Sequence, residues 1–176
     1  MDRKLILYIA CSLDGYIAKP NDDLSFLDRV SNENLDYGYN KFISTVDTVI
    51  IGRRTYDWIL NQNIDFYHSD KATYVITRKR RKRNGKIIFY SGDLKELIIK
   101  LKNEKGKNIF CDGGSEIVNL LFADKLFDEL IISIIPVVVG GGINLFKEGI
   151  PEQVLTLISV QSFKTGLVQL HYQVIK

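Results

Sequence analysis

The chain has 176 residues, of which 45% are hydrophobic and 26% charged, and its formal net charge is +3. A chain of this length can bury the core of one domain, so we expect residues 1–176 to form a single domain. No apolar run reaches the roughly 20 residues that a membrane-spanning helix needs, and the net charge is too small to indicate nucleic-acid binding. The two cysteines, Cys11 and Cys111, do not suit a disulfide framework, and we expect a cytoplasmic protein with reduced thiols.

Short apolar runs rich in Ile, Val, Tyr and Phe alternate with amphipathic segments, which indicates strands alternating with helices. In chain order, the predicted strands are residues 4–11, 47–51, 73–77, 86–90, 108–112 and 128–139. The predicted helices are residues 34–45, 54–61, 93–104 and 115–123. The clearest helix is 93–104, where Asp93 and Glu96 form a capping box ahead of an apolar stripe.

The end of the chain has a different pattern. Residues 153–175 contain two alternating runs joined by a polar segment around Gly166, which is typical of a β-hairpin. Parallel strands need crossover connections, so strands that alternate with helices predict a mostly parallel sheet covered on both faces. The sequence therefore predicts an α/β protein whose sheet has an antiparallel C-terminal edge.

Three predicted strands end in residues suited to binding phosphate, and α/β sheets bind ligands at the carboxyl ends of their strands. The three turns are made of Gly52, Arg53, Arg54 and Thr55, of Thr77, Arg78 and Lys79, and of Gly113, Gly114, Ser115 and Glu116. Two arginines in the first turn of a helix oppose the helix dipole, and a bound anion would reverse that cost. Three such turns at one edge of the sheet indicate a dinucleotide with three phosphates, as in NADP(H).

Two of these turns also have a purely structural interpretation. A pair of glycines suits a tight strand-to-helix turn for steric reasons, and the arginine pair can lie solvated on an exposed helix. Neither Gly113-Gly114 nor Gly140-Gly141-Gly142 fits G-x-G-x-x-G or the P-loop pattern. Arg80 to Arg83, the rest of a run of six cations, is expected to lie solvated in an exposed hairpin.

Three segments resemble the dihydrofolate reductase-like superfamily, in particular its riboflavin-biosynthesis reductase branch, which forms the C-terminal domain of bacterial bifunctional deaminase-reductases. The segment "DTVIIGRRTYDWI" at 47–59 is similar to the phosphate-binding strand and helix of the superfamily. The segment "YIACSLDGYIA" at 8–18 resembles the first strand and active-site loop of the riboflavin branch, and 111–146 resembles its helix, strand and glycine-rich loop. The resemblance implies a three-layer fold with a central, mostly parallel eight-stranded sheet and flanking helices, and NADPH as the cofactor.

The resemblance also implies roles for single residues. The implied cofactor-binding residues are Cys11, Ile17, Ala18, Gly52, Arg53, Arg54, Thr55, Thr77, Arg78, Lys79, Gly113, Gly114, Ser115 and Glu116. The implied catalytic residues are Asp36 and Asp14, which would contact the substrate together with Gly140, Gly141 and Gly142. Asp36 would enter the cleft from a helix with its pKa raised by burial, or else stabilise the first turn of that helix. Asp14 would face the substrate, or else cap local backbone beside Gly15.

The activity that the resemblance implies is NADPH-dependent reduction of a heterocyclic or ribosylamino substrate, with 5-amino-6-(5-phosphoribosylamino)uracil as the nearest named example. The chain lacks the zinc deaminase signature that accompanies this reductase in bifunctional enzymes. The alternatives are a dihydrofolate reductase and, in another class, an NADP(H)-sensing or nucleic-acid-binding protein without turnover. His68 and His171 have no ligand-spaced partners, so we expect no metal site and two structural or solvent-exposed histidines. Members of the riboflavin branch often form homodimers, so the resemblance predicts a homodimer.

Overall fold

A computed structural model describes residues 3–62, 66–79 and 81–176. Its strands are β1 (Leu5–Ser12), β2 (Tyr16–Ala18), β3 (Val46–Gly52), β4 (Ala72–Ile76), β5 (Ile87–Tyr90), β6 (Asn108–Gly113), β7 (Glu129–Ile135), β8 (Ile143–Asn144), β9 (Leu155–Ser162) and β10 (Val168–Val174). Its α-helices are α1 (Tyr39–Ser44), α2 (Arg53–Asn61), α3 (Leu94–Asn103) and α4 (Ser115–Ala123).

Eight strands form one sheet in the order β5-β4-β3-β6-β1-β7-β10-β9, and β2 pairs with β8 separately. The six strands from β5 to β7 in this order run parallel to their neighbours. By contrast, β10 runs antiparallel to both β7 and β9. This topology confirms the predicted mostly parallel sheet with an antiparallel C-terminal hairpin.

Both faces of the sheet are covered, as the alternation of strands and helices predicts. Along β1, Leu5 and Leu7 point into the main core beneath α3 and α4, while Ile6 points to the opposite face and packs near α1. The N-terminus of α3 is capped as expected, because Asp93 Oδ1 accepts a hydrogen bond from the backbone N–H of Glu96 at 2.8 Å. The helices therefore hold the sheet from both sides and leave the carboxyl ends of its strands accessible.

Two predicted elements have different limits in the structure. The helix predicted at 34–45 begins only at Tyr39, because Tyr37 and Gly38 have positive φ angles of 53° and 82°, which an α-helix cannot include. The strand predicted at 128–139 ends at Ile135, since Pro136 has no backbone N–H with which to continue the ladder. Arg80, in the predicted basic hairpin, lies outside the described residues.

Two features typical of other protein classes are absent from the described residues. None of the helices there combines the length and the apolar character that crossing a lipid bilayer takes. Within 3–62, 66–79 and 81–176, no three His, Cys, Asp or Glu side chains are grouped so that they would hold a metal ion. Cys11 and Cys111 are both buried as free thiols.

Candidate functional site

A long cleft of about 1450 Å³ runs along the carboxyl ends of the parallel strands. Gly52 at the end of β3, Thr77 after β4 and Asp112 near the end of β6 all line it. The three predicted phosphate-suited turns therefore lie along one cleft. This is the position where parallel α/β sheets bind ligands.

The two glycine-containing turns touch each other. A Cβ added to Gly114 would lie 3.0 Å from Thr55 Oγ1, and one added to Gly52 would lie 3.2 Å from Ile117 Cγ1. Gly113 has a φ of 99°, a conformation that glycine adopts without strain. One cradle is thus formed by residues 52–55 together with the start of α4. Its glycines have no side chains, which leaves backbone N–H groups close to the cleft.

The arginines at this cradle are paired with carboxylates of the chain itself. Arg54 Nη2 donates to both oxygens of Asp22 at 2.8 and 2.7 Å, although the Arg54 side chain remains 75% exposed. Arg53 Nη1 donates to Asp57 Oδ2, one turn further along α2, at 2.6 Å. Exposed ion pairs of this kind contribute about 0–1 kcal/mol, so an incoming phosphate can replace the carboxylates at little cost.

The arginine in the turn after β4 is also paired with a carboxylate of the chain. Arg78 Nη2 contacts Glu116 Oε1 at 3.2 Å, and both side chains are largely exposed. The Thr77 hydroxyl accepts a hydrogen bond from the backbone N–H of Lys79 at 3.2 Å and shapes the turn. In this structure Glu116 therefore acts as the counter-charge of Arg78.

Two predicted cofactor-binding residues are occupied in packing. Ser115 is buried, and its hydroxyl donates to the carbonyl of Asn144 at 2.5 Å, which ties α4 to β8. Cys11 is buried in the main core and does not line the cleft, unlike Ile17 and Ala18, which do. Burial raises the pKa of the Cys11 thiol to about 11.

Asp36 does not have the environment that the sequence predicts. It is exposed, it precedes α1, and it is not among the residues that line the cleft. Its two carboxylate oxygens accept hydrogen bonds from the backbone N–H groups of Gly38 and Asn40, each at 3.0 Å. Those bonds, led by the one from Asn40, lower the pKa of Asp36. The expectation of a buried Asp36 with a raised pKa is therefore wrong, and the helix-stabilising interpretation agrees with the contacts.

Asp14 and the glycine loop are also placed outside the cleft. The Asp14 carboxylate is exposed and accepts hydrogen bonds from the Ser12 hydroxyl at 2.6 Å and from the N–H groups of Val139 and Gly140 at 3.1 and 2.7 Å. These bonds, above all the one from Ser12, lower the pKa of Asp14 to about 2. Asp14 thus holds the glycine loop through hydrogen bonds to its backbone. The sequence predicted that Asp14 and the loop would line the cleft, but the residues that line it do not include Asp14, Gly140, Gly141 or Gly142.

A carboxylate that the sequence analysis did not select does line the cleft. Asp112 lies in β6 immediately before Gly113-Gly114, and its side chain is only 15% exposed. The Tyr67 hydroxyl donates to Asp112 Oδ2 at 3.2 Å, and His68 Nε2 lies 3.6 Å from the same oxygen. A signal was present in the sequence, because Asp112 is the acidic residue closest to the carboxyl end of a strand that a Gly-Gly turn follows.

Aromatic rings surround this carboxylate. The other residues here that line the cleft are Tyr8, Tyr39, Tyr67 and Phe110. The Tyr8 ring lies 5.6 Å from that of Tyr39, edge to face. Burial raises the pKa values of the Tyr39 and Tyr67 hydroxyls, and the nearby Asp112 adds to the effect, so both remain proton donors at neutral pH. The arrangement offers flat apolar surfaces and one carboxylate to a planar ligand.

The chain is similar to known proteins along nearly its whole length. A sequence model of the RibD C-terminal domain matches residues 3–169. The uncharacterized protein YwjB of Bacillus subtilis (strain 168) is 42% identical over 173 residues, which cover 98% of this chain and 98% of that protein.

Two crystal structures have the same fold. A Shewanella sp. PV-4 protein, provisionally assigned to riboflavin biosynthesis, has a TM-score of 0.90 at 28% identity over 98% of this chain and 99% of its own. The diaminohydroxyphosphoribosylaminopyrimidine deaminase/5-amino-6-(5-phosphoribosylamino)uracil reductase of Thermotoga maritima has a TM-score of 0.73 at 13% identity, over 99% of this chain and 57% of its own. The second likeness concerns the fold alone, because the identity is low.

Proposed function

The chain belongs to the RibD C-terminal domain family, within the dihydrofolate reductase-like fold, and from this premise we propose that it is an NADPH-dependent reductase. The observation that carries the proposal is the cradle of Gly52, Thr55 and Gly114, which lies beside two arginines at the carboxyl ends of the strands. Nucleotide phosphates bind at such positions because backbone N–H groups and the helix dipole favour negative charge.

The residues of the cleft fit this cofactor. Thr55 and the N-terminus of α4 would hold the pyrophosphate, with Arg53 and Arg54 as counter-charges that exchange their carboxylates for phosphate. Arg78 and Thr77 would bind a phosphate on the adenosine ribose, which is the group that distinguishes NADPH from NADH. When bound, NADPH supplies the hydride for the reduction.

We assign the substrate-facing acid to Asp112 in place of Asp36. Asp112 lies inside the cleft with one oxygen held by Tyr67, whereas Asp36 is exposed and engaged by backbone N–H groups. A carboxyl group in this position can hydrogen-bond the N–H edge of a heterocycle and deliver a proton to a nitrogen or oxygen atom that becomes basic on reduction. The aromatic rings of Tyr8 and Tyr39 would orient the planar substrate against it.

The nearest named reaction is the reduction of 5-amino-6-(5-phosphoribosylamino)uracil, the activity in the name of the Thermotoga maritima neighbour. Dihydrofolate is the second substrate to test, since the fold is shared with dihydrofolate reductases. A carboxylate among aromatic rings suits the heterocyclic part of either molecule. The first substrate is a uracil with a phosphoribosylamino group and the second a pteridine without one, so the two also test whether the site accepts a sugar phosphate.

Thermal denaturation with each nucleotide tests the cofactor. At a concentration of 100 Kd a ligand stabilises the native state by about 2.7 kcal/mol, which for a chain of this size raises Tm by about 5–10 °C. We expect NADPH to give a larger shift than NADH and Arg54→Gln to reduce both shifts. Arg29→Gln is the matched control, because Arg29 is exposed and does not line the cleft. If neither nucleotide shifts Tm, the proposal fails; a shift without turnover of either substrate favours a sensing protein.

We also propose that the protein is a cytoplasmic homodimer formed through β9. This strand is an edge of the sheet, all eight of its residues are exposed, and none of them is charged. The opposite edge, β5, has only four residues and follows a run of cations, a usual protection against edge pairing. A second copy meets the uncharged strand without burying an unpaired charge, and identical strands pair antiparallel about a two-fold axis.

The dimer is tested by light scattering after size-exclusion chromatography. Leu157 pairs with Tyr172 on the apolar face of the hairpin, whereas Ser159 pairs with His171 on its polar face. We expect Leu157→Lys to give a monomer and Ser159→Lys, the matched control, to leave the dimer in place. A wild-type protein that is monomeric at every concentration would contradict this proposal without affecting the proposed activity.

A further inference from the structure

His68 is a buried polar side chain for which the proposed reaction has so far given no role. Its ring is 1% exposed and is surrounded by the rings of Phe66, Tyr67 and Phe110, with centroids 4.3–5.6 Å away. The imidazole is therefore held in one orientation by packing. A polar ring in such surroundings is unfavourable unless its nitrogen atoms find partners.

Among the described residues, the polar groups near the His68 ring lie on its Nε2 side. Nε2 lies 3.5 Å from the Tyr39 hydroxyl and 3.6 Å from Asp112 Oδ2, both of which line the cleft. Nδ1 is buried and has no hydrogen-bond partner among the described residues. A proton on Nδ1 would be a buried donor without an acceptor, so the neutral ring is expected to carry its proton on Nε2.

This tautomer has a consequence for the carboxylate. The Nε2–H group and the Tyr67 hydroxyl approach the same oxygen of Asp112, Oδ2. In the described part of the chain, Oδ1 accepts no hydrogen bond from a side chain or the backbone. Oδ2 thus has the imidazole and the Tyr67 hydroxyl beside it, and Oδ1 is left for a ligand in the cleft.

We propose that His68 is a positioning residue that orients Asp112 for the substrate, an inference that rests on the proposed function. The imidazole Nε2, 3.6 Å from Oδ2, and the Tyr67 hydroxyl, which hydrogen-bonds the same atom, would together hold this oxygen in place and leave Oδ1 to the heterocycle. The titratable groups that face His68 are Asp112 from β6, Tyr39 from α1 and Tyr67 and Asp70 from its own loop. Loss of the Nε2–H group should therefore lower kcat more than it changes KM.

Nitrogen-15 NMR of the imidazole side chains tests the contact without any substrate. The chain has only two histidines, so the His171→Gln variant assigns both sets of signals. His171 does not line the cleft, and its Nε2 lies 2.9 Å from Glu129 Oε2. We expect the Nε2–H tautomer for His68 and a shift of its signals, but not those of His171, in Asp112→Asn. An Nδ1–H tautomer, or His68 signals unchanged in Asp112→Asn, would overturn the proposal even if the enzyme is active.

Steady-state kinetics test the positioning role. His68→Phe keeps an aromatic ring in the packed site but removes the donor, and we expect kcat to fall about ten- to a hundredfold, as for misplacement of a reacting group by up to ~1 Å. His68→Gln, which places an amide N–H near the position of Nε2, should recover most of the rate, whereas His171→Gln should leave it unchanged. Both His68 variants are first checked for a wild-type-like Tm shift with NADPH, so that a folding defect is recognised.

The separate effects on kcat and KM distinguish positioning from packing. We expect kcat to fall while KM stays nearly constant in His68→Phe, and both constants to stay close to wild type in His68→Gln. A His68→Phe enzyme with wild-type kcat would refute the positioning role. A wild-type protein that is inactive with both substrates and not stabilised by NADPH would instead refute the proposed function, and the NMR result would stand by itself.

Discussion

Replacing Asp112 by Asn is the sharpest test of the proposed active site. Asn has nearly the same shape and can still accept the hydrogen bond from Tyr67, which lies 3.2 Å from Oδ2, but it cannot carry a negative charge or exchange a proton. General acid–base groups contribute about 10²–10⁴-fold, or about 3–5 kcal/mol of transition-state stabilisation. We therefore expect kcat to fall by at least about a hundredfold, with the loss larger in kcat than in KM.

The measurement is NADPH oxidation by the purified protein with whichever of the two proposed substrates the wild type reduces. The Tm shift with NADPH should be retained in Asp112→Asn, because this carboxylate does not belong to the phosphate cradle. Asp36→Asn is the matched control: it removes the same charge from an exposed residue whose carboxylate accepts a hydrogen bond from the backbone N–H of Asn40, so the rate of this variant should stay within about twofold of the wild type. If Asp36→Asn abolishes turnover and Asp112→Asn does not, our assignment of the acid is wrong.

Three other predictions concern the loops and the core. Because the pKa of Asp14 is lowered to about 2 from 3.8, its contribution to stability is present above about pH 4 and disappears towards pH 2, so the difference in unfolding free energy between wild type and Asp14→Asn should vanish over that range in denaturant titrations. A Cβ on Gly142 would lie 2.0 Å from the carbonyl oxygen of Ala18 at a φ of 135°, so Gly142→Ala should destabilise the fold by about 1–3 kcal/mol or more, whereas Gly141→Ala, with open space, should be nearly neutral in the same titrations. Burial raises the pKa of Cys11 to about 11, so alkylation at pH 8 followed by mass spectrometry should find its thiol unmodified until the protein is denatured; rapid labelling of the native protein would contradict its burial.

Much of the fold could be predicted from the sequence because periodicity reports burial directly. Asp93 and Glu96 marked the start of α3 correctly, and the alternating pattern around Gly166 marked the hairpin. The backbone between 34 and 38 could not be predicted in this way, since nothing in a hydrophobic pattern reports the positive φ angles of Tyr37 and Gly38. Those two dihedral angles end the predicted helix early.

The same local geometry explains the error in the candidate site. A full helix over 34–45 was expected to carry Asp36 into the cleft, but the turn before α1 leaves it exposed beside Gly38 and Asn40. The position of Asp112 before a Gly-Gly turn was visible in the sequence, but its surroundings become apparent only when β6 is placed next to β3, with the loop of Tyr67 and His68 beside it. Contacts between residues 45 positions apart carry no local pattern, so the aromatic surroundings of Asp112 required the tertiary structure.

The ion pairs at the phosphate cradle also affect which molecules the protein attracts from a distance. Arg54 and Arg78 each have a carboxylate within hydrogen-bond reach, so each presents a dipole to the surrounding solution, and Arg53 shares the Asp57 carboxylate with Arg81. The field of a dipole decays more steeply than that of a single charge, and physiological salt screens what remains beyond about 8 Å. Under the proposed function, these pairs would attract an RNA strand at that range less than unpaired arginines would, whereas a compact phosphate group that enters the cradle would displace the carboxylates one by one. The carboxylates beside the arginines would then favour small anions over polyelectrolytes at the proposed cradle.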